Sequence, residues 1–146
     1  MSILSLDYGT KHIGLAISDE TLSIAVPLDP LQAEPFGKFI GKLKETIRQF
    51  EVSLIIVGLP RNMDGSYGIA AEKVKQFVFK LRQWIQIPVE FQDERLSTKL
   101  ADRLLTERGC HGKEKKRRID SCAAAVVLQS YLDGLLLKEK KARSVV

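Results

Sequence analysis

Apolar residues change their spacing at a few clear points along the chain, and these points divide it into elements. Ile3 to Tyr8 is a short apolar run closing in Asp-Tyr-Gly-Thr, the pattern of a strand ended by a glycine turn. His12 to Ser18 repeats the strand pattern after so short a connection that the pair should form an antiparallel hairpin. Ser23 to Leu28 makes a third short strand, whose Pro27 suits a strand end or sheet edge. The period then becomes helical, with Phe36, Phe39, Ile40, Leu43, Ile47 and Phe50 recurring among lysines. Leu54 to Leu59 is continuously apolar, as in a strand buried on both faces. A second helical stretch begins at Ser66 and carries Ile69, Val74, Phe77, Val78, Leu81 and Ile85, with Trp84 expected in the core. Pro88 to Gln92 reads as a strand. Ser97 caps a further helix that stops at Gly109, and Ile119 to Leu137 forms a final helix rich in Ala and Leu.

The order β-β-β-α-β-α-β-α-α predicts a single α/β domain in which helices cover both faces of a mixed five-stranded sheet. At 146 residues the chain has the size of one domain, with 138–146 expected as a flexible basic tail. Its 45% hydrophobic and 28% charged residues exclude a disordered chain and a disulfide scaffold. No apolar run approaches the ~20 residues that span a bilayer. The first residues carry no basic segment of a secretory leader. Cys110 and Cys122 lack C-x-x-C spacing, which suits reduced thiols. The expectation is a cytoplasmic domain with no membrane partner.

Charge changes this picture when it is divided along the chain. Residues 1–106 carry 13 basic and 13 acidic side chains, whereas 107–146 carry 10 and 5 and so contain the whole formal +5. Lys113, Lys115, Lys116, Arg117 and Arg118 fall within six positions between the last two predicted helices. Such a cationic run attracts polyanions, nucleic acid first among them, and would grip a backbone without reading bases. As a solvated surface loop it needs no partner at all.

Acidic residues stand in three unusual settings. Asp7 ends the first strand, Asp93 and Glu94 end the last, and Asp120 opens the final helix directly after the basic run. Ligands collect at strand ends of α/β sheets. If the first and last strands lie near the sheet centre, Asp7 and Glu94 face one crevice and the helix can present Asp120 to it. Clustered carboxylates need a compensating cation, and oxygen donors in that number select Mg²⁺ or Mn²⁺. Neighbours on a strand point to opposite faces, so one of Asp93 and Glu94 enters the site, with Asp93 the substitute for Glu94. Taken singly, each acid is equally well a turn or helix-start residue. Nearby, Thr10, Lys11 and Arg95 are placed to meet a substrate phosphate. Gly58 to Ser66 follows a buried strand and opens a helix, so its amides and Arg61 could do the same. Tyr8 would either stack on a base or pack beside the strand.

Taken together, four segments in order resemble the YqgF family, the RuvX or RuvC-like group of resolvases and ribosomal RNA nucleases. They are Leu6-Asp7-Tyr8-Gly9-Thr10-Lys11-His12-Ile13-Gly14-Leu15 and its continuation to Asp19, Val57-Gly58-Leu59-Pro60 with Asn62 to Ser66, Asp93-Glu94-Arg95-Leu96-Ser97-Thr98, and Asp120-Ser121-Cys122-Ala123-Ala124-Ala125. The resemblance implies an RNase H-like fold and an acidic site of Asp7, Glu94 and Asp120 holding Mg²⁺ or Mn²⁺. It implies metal-dependent cleavage of structured RNA at the 5′ end of the 16S ribosomal RNA precursor. The alternatives are resolution of branched DNA and an RNA-binding module that no longer cuts. A resolvase would work as a homodimer and a trimming enzyme as a monomer. Two residues depart from the pattern: His12 stands where the family has Arg, and Ala123 where RuvC-like resolvases carry a further Asp. Asp-Tyr-Gly-Thr also resembles the first phosphate loop of actin-like ATPases and sugar kinases, but 146 residues leave no room for their second domain.

Overall fold

A computed structural model describes residues 1–62, 64–94 and 113–144, without the side chains of 113–120 and 141–144. The elements are β1 (Ser2–Asp7), β2 (His12–Ser18), β3 (Ala25–Gln32), α1 (Phe36–Gln49), β4 (Val52–Pro60), α2 (Ile69–Trp84), β5 (Val89–Glu94) and α3 (Lys113–Ser144). The helix expected from Ser97, and with it Arg95, lies outside the described residues.

The five strands form one mixed sheet in the order β3-β2-β1-β4-β5. β1 is central, antiparallel to β2 and parallel to β4, and β5 extends the parallel half as an edge strand. The β1–β2 turn is tight because Gly9 has no side chain: a Cβ there would collide with the His12 carbonyl oxygen. β3, with its two prolines, takes the other edge, where missing amide donors cost least.

Alternation along the strands sorts side chains into two cores. Leu4, Leu6, Leu15, Ile55 and Val57 face α1 and α2, joined by Phe39, Leu43, Phe77 and Leu81 from those helices. Ile3, Ala16, Ala25 and Ile56 face α3, meeting Ala124, Ala125, Val127, Leu128 and Leu132. Small residues on both sides of this second layer let the helix lie close on the sheet. Three polar contacts fix it there. Ser121 Oγ accepts from the buried Leu15 amide at 3.2 Å, beside the register shift in β2. Farther along, Gln129 accepts from Ala25 N at 3.0 Å and donates to Ser23 O at 2.8 Å. α3 therefore runs antiparallel to β1, its N-terminal part at the end of the sheet where Asp7 sits. On the same face Ser5 Oγ is buried with no hydrogen-bond partner among the described residues.

The structure corrects two expectations, the basic loop and the burial of Trp84. The basic run is not a loop, because α3 already begins at Lys113. Residues 138–144, within the expected flexible basic tail, continue the same helix. Trp84 is 56% exposed, since the buried stripe of α2 passes through Ala71, Val74, Phe77, Val78 and Leu81 and continues to Ile85. Ile69, at the first position of α2, is likewise exposed.

Candidate functional site

The candidate residues Asp7 and Glu94 lie at the C-terminal ends of the parallel strands. Asp7 follows Ile3 and Ser5 in alternation, so it belongs to the α3 face of β1, while Leu6 belongs to the opposite core. It sits one position beyond the Leu6–Val57 pair, level with Gly58 of β4. Glu94 pairs at Pro60, farther out on β5, yet its side chain folds back across β4. A Cβ on Gly58 would stand 2.5 Å from Glu94 Oε2 and 3.3 Å from Val127 Cγ2. The Glu94 carboxylate therefore lies over Gly58, under α3, about one strand spacing of ~4.8 Å from the strand that carries Asp7. Glycine in this otherwise bulky buried strand opens the seat.

The third acid comes from the helix. Asp120 belongs to α3, and its neighbour Ser121 is bound to Leu15, next in β2 to Gly14, the partner of Asp7. The backbone at 120 is thus held beside the β1–β2 end, while the Asp120 side chain is among those not described. Among the described residues no group of three His, Cys, Asp or Glu forms a cluster. Ala123, where RuvC-like resolvases carry an acid, is buried in the helix–sheet layer.

Asp93 has a different commitment. On the opposite side of β5 it accepts from Arg61 Nη1 and from the Tyr67 hydroxyl, each at 2.9 Å. Arg61 also donates from Nε to Gly65 O at 2.6 Å and from its backbone amide to Glu94 O at 3.1 Å. Its guanidinium lies 5.2 Å from the Tyr67 ring centre. Arg61, expected to meet phosphate, spends these donors inside the protein and ties the loop after β4 to the end of β5. The loop's own amides are used as well: Asn62 N reaches Ser66 O, Gly65 N reaches Asn62 O, and Ser66 N reaches Asp64 Oδ1. The Ser66 hydroxyl and amide hold the Asp64 carboxyl below the usual carboxylate range. Gly65 has φ 89°, a left-handed conformation that glycine adopts without strain.

The remaining expected residues are more dispersed. Lys11 is exposed in the β1–β2 turn, its carbonyl bound to Ala33 N at 2.9 Å. Thr10 borders a cleft of about 320 Å³ on the other face of the sheet from Asp7, with Tyr8 beside it. The Tyr8 ring packs on Phe77 with centroids 4.7 Å apart. Lys113, Lys115, Lys116, Arg117 and Arg118 occupy the first turns of α3. At 1.5 Å per residue, Lys113 stands about 12 Å along the axis from Ser121, toward the end of the sheet that carries Asp7. Sequence reasoning did not single out Gly58 as the seat of Glu94, although a glycine inside a buried strand signals such a close approach.

Known proteins agree with this architecture. A family model described as RuvX: Holliday junction resolvase matches residues 1–134. A protein of Caldanaerobacter subterraneus subsp. tengcongensis named "Putative pre-16S rRNA nuclease" is 42% identical over 135 residues, covering 92% of this chain and 97% of that protein. A Bacillus thuringiensis protein of the same name is 44% identical over 136 residues, covering 92% and 99%. Among solved structures, Thermus thermophilus RuvC in complex with Holliday junction substrate matches with a TM-score of 0.56 at 17% identity, covering 93% of this chain and 96% of that one. The Fowlpox virus resolvase with Holliday junction DNA matches with 0.56 at 14%, covering 93% and 99%. These two show that the RNase H-like fold is shared. With a family model spanning nearly its whole length and relatives above 40% identity, the chain belongs to the RuvX family.

Proposed function

We propose that this chain is a divalent-metal-dependent nuclease that processes the 5′ end of the 16S ribosomal RNA precursor in the cytoplasm. The observation that carries the reading is the placement of the Glu94 carboxylate over Gly58, on the sheet face and at the level of Asp7. A Glu94 carboxylate seated beside the strand that carries Asp7, with Asp120 on the helix that covers this face, supports a hard oxygen donor set of the kind that suits Mg²⁺ or Mn²⁺. Asp7, Glu94 and Asp120 would hold the ion. The chemistry supplied there when it is bound is activation of water and neutralisation of charge developing at phosphorus.

The chain's own residues do the rest. Asp7 and Glu94 stand at the ends of β1 and β5, which pair in register with β4 between them. Arg61 and Asp93 hold the end of β5, and with it the backbone from which Glu94 folds back. Lys11 and Thr10 in the β1–β2 turn, and Arg95 next to Glu94, are the candidates to meet the phosphate. Lys113, Lys115, Lys116, Arg117 and Arg118 occupy the first turns of α3, toward the end of the sheet that carries Asp7, and would track the nucleic-acid backbone by charge alone. The pre-16S reading is supported by the name borne by the relatives.

Purified protein, with Mn²⁺ or Mg²⁺, is expected to cleave a precursor RNA spanning the mature 5′ end, and Asp7→Asn or Glu94→Gln to abolish cleavage. Binding without cleavage by the wild type under both metals, or undiminished cleavage by Asp7→Asn, would overturn the proposal. A second reading, resolution of branched DNA, is favoured by the junction complexes among the structural neighbours. It requires a homodimer to cut two strands symmetrically. A monomeric mass in solution, together with intact four-way junctions, removes it.

A further inference from the structure

We propose that the cleft on the α1–α2 side of the sheet end binds a nucleotide unit, with the base between aromatic rings and phosphate at two lysines of α2. The inference rests on the nuclease reading for its ligand class and adds a subsite that the acidic residues do not provide. The cleft starts one residue from Asp7: Tyr8 and Thr10, which follow it in the chain, form one wall. Its volume of about 320 Å³ lies at the lower end of the range for small-ligand pockets.

The lining has the chemistry of both halves of a nucleotide. Phe36 and Tyr8 are half-buried and flank the cleft, and Tyr8 is backed by the buried Phe77 ring at 4.7 Å. Tyr8, backed on one side by the core, is a platform for a base, and stacking tolerates any base, while the Phe36 ring carries the Lys80 ammonium over one face. Lys73 and Lys80 both border the cleft. Seven residues apart, they share one stripe of α2 and are separated by about 10 Å along its axis. Lys80 Nζ stands 4.4 Å from the centre of the Phe36 ring, so cation and stacking surface are adjacent. Neither lysine has an ion pair among the described residues; Glu72, the nearby acid of α2, pairs with Lys75. Between them Gln76 offers an amide that donates and accepts, and Glu34 at the rim accepts from an exocyclic amine or a ribose hydroxyl. A strand crossing the end of β1 can thus keep its reacting phosphate at Asp7 and drop a neighbouring base behind the β1–β2 turn.

Two sources supply this chemistry, a strand and a free nucleotide, and the test separates them. An oligoribonucleotide bearing 5-iodouridine is bound to the Asp7→Asn protein, irradiated, and the adduct located by peptide mass spectrometry. An adduct on Tyr8 or Phe36 is expected. Lys73→Ala with Lys80→Ala should remove it, weaken oligonucleotide binding about tenfold, and flatten the salt dependence of log K by about 1.4, as for two single-strand phosphate contacts. The charge-matched pair Lys38→Ala with Lys42→Ala, exposed on α1 away from the cleft, should retain the adduct. Competition by uridine monophosphate at equal nucleotide concentration assigns the cleft to a free nucleotide, and competition by unlabelled oligonucleotide alone assigns it to a strand. Adducts found only outside the cleft, or a Lys73/Lys80 pair no weaker than the α1 pair, would overturn the site. Because the adduct forms without cleavage, a chain that binds here and cuts nothing refutes the nuclease reading while keeping the cleft.

Discussion

Gly58→Ala is the most incisive perturbation of the acidic site, because it adds one methyl group under one carboxylate. The new Cβ would stand 2.5 Å from Glu94 Oε2 and 3.3 Å from Val127 Cγ2. Ordinary contact requires about 3.4 Å, so the carboxylate must retreat by about 1 Å, while Val127 shifts by only a tenth or so. Displacement of a reacting group on that scale costs about 100-fold in rate, equivalent to about 2.7 kcal/mol of transition-state stabilisation. Stability should respond far less. The clash is with the end of a flexible side chain, overpacking of this kind costs about 1 kcal/mol, and Gly→Ala recovers part of it by restricting the unfolded chain. The assay is cleavage of precursor RNA with Mn²⁺, run beside urea unfolding of the same samples. A loss of about 100-fold with unfolding shifted by 1 kcal/mol or less is expected. Wild-type cleavage by Gly58→Ala, alongside an inactive Glu94→Gln, would show that catalysis does not use the carboxylate where the structure seats it.

Arg61→Gln and Asp93→Asn should each slow cleavage, and the double variant should be no slower than the worse single one, because both break one brace. The pair is 31% and 47% exposed, so unfolding should move by less than about 1 kcal/mol. Additive losses in RNA affinity would instead make Arg61 a phosphate ligand. Ser121→Ala removes the acceptor for Leu15 N and should cost about 1–2 kcal/mol in urea unfolding, and an unchanged midpoint would refute the anchoring role. Ser5→Ala discards a buried hydroxyl that has no partner among the described residues and should leave stability unchanged or raise it by up to about 1 kcal/mol; a clear loss would contradict this. Asp19 accepts from Ser23 N, Ile24 N and the Thr21 hydroxyl, which hold its carboxyl below the usual range. A depressed folded-state value stabilises above the ordinary carboxylate pKa and is lost as pH falls through the lowered one. Asp19→Ala should therefore be less stable than the wild type at pH 7, with the gap closing as pH drops below about 4. A gap that persists there would assign the loss to packing.

Local pattern made much of this protein legible from its residues. The period-2 and period-3.6 runs located β2 at His12–Ser18 and placed α1 and β4 within a few residues of their observed ends. They also put Asp7 and Glu94 at strand ends, because the alternation that buries Leu4 and Leu6 stops where the polar residues begin. Element ends were less legible where one residue type suits two states. The Lys113–Arg118 run reads as a loop by charge but is helical, since Lys and Arg are good helix formers and the helix continues into the Ala-rich face.

Which of two adjacent acids faces β1 could not be read from β5 alone. Alternation says that Asp93 and Glu94 diverge, but only the pairing of β5 with β4 turns Glu94 toward Gly58 and leaves Asp93 to Arg61 and Tyr67. The same holds for the cleft, where Tyr8 meets Lys73 and Lys80 from an element some 65 residues later in the chain. Periodicity encodes which side of an element is dry, a property of neighbours in sequence. What meets what at a site depends on register and packing between distant segments, and that was decided only when the sheet closed under its helices.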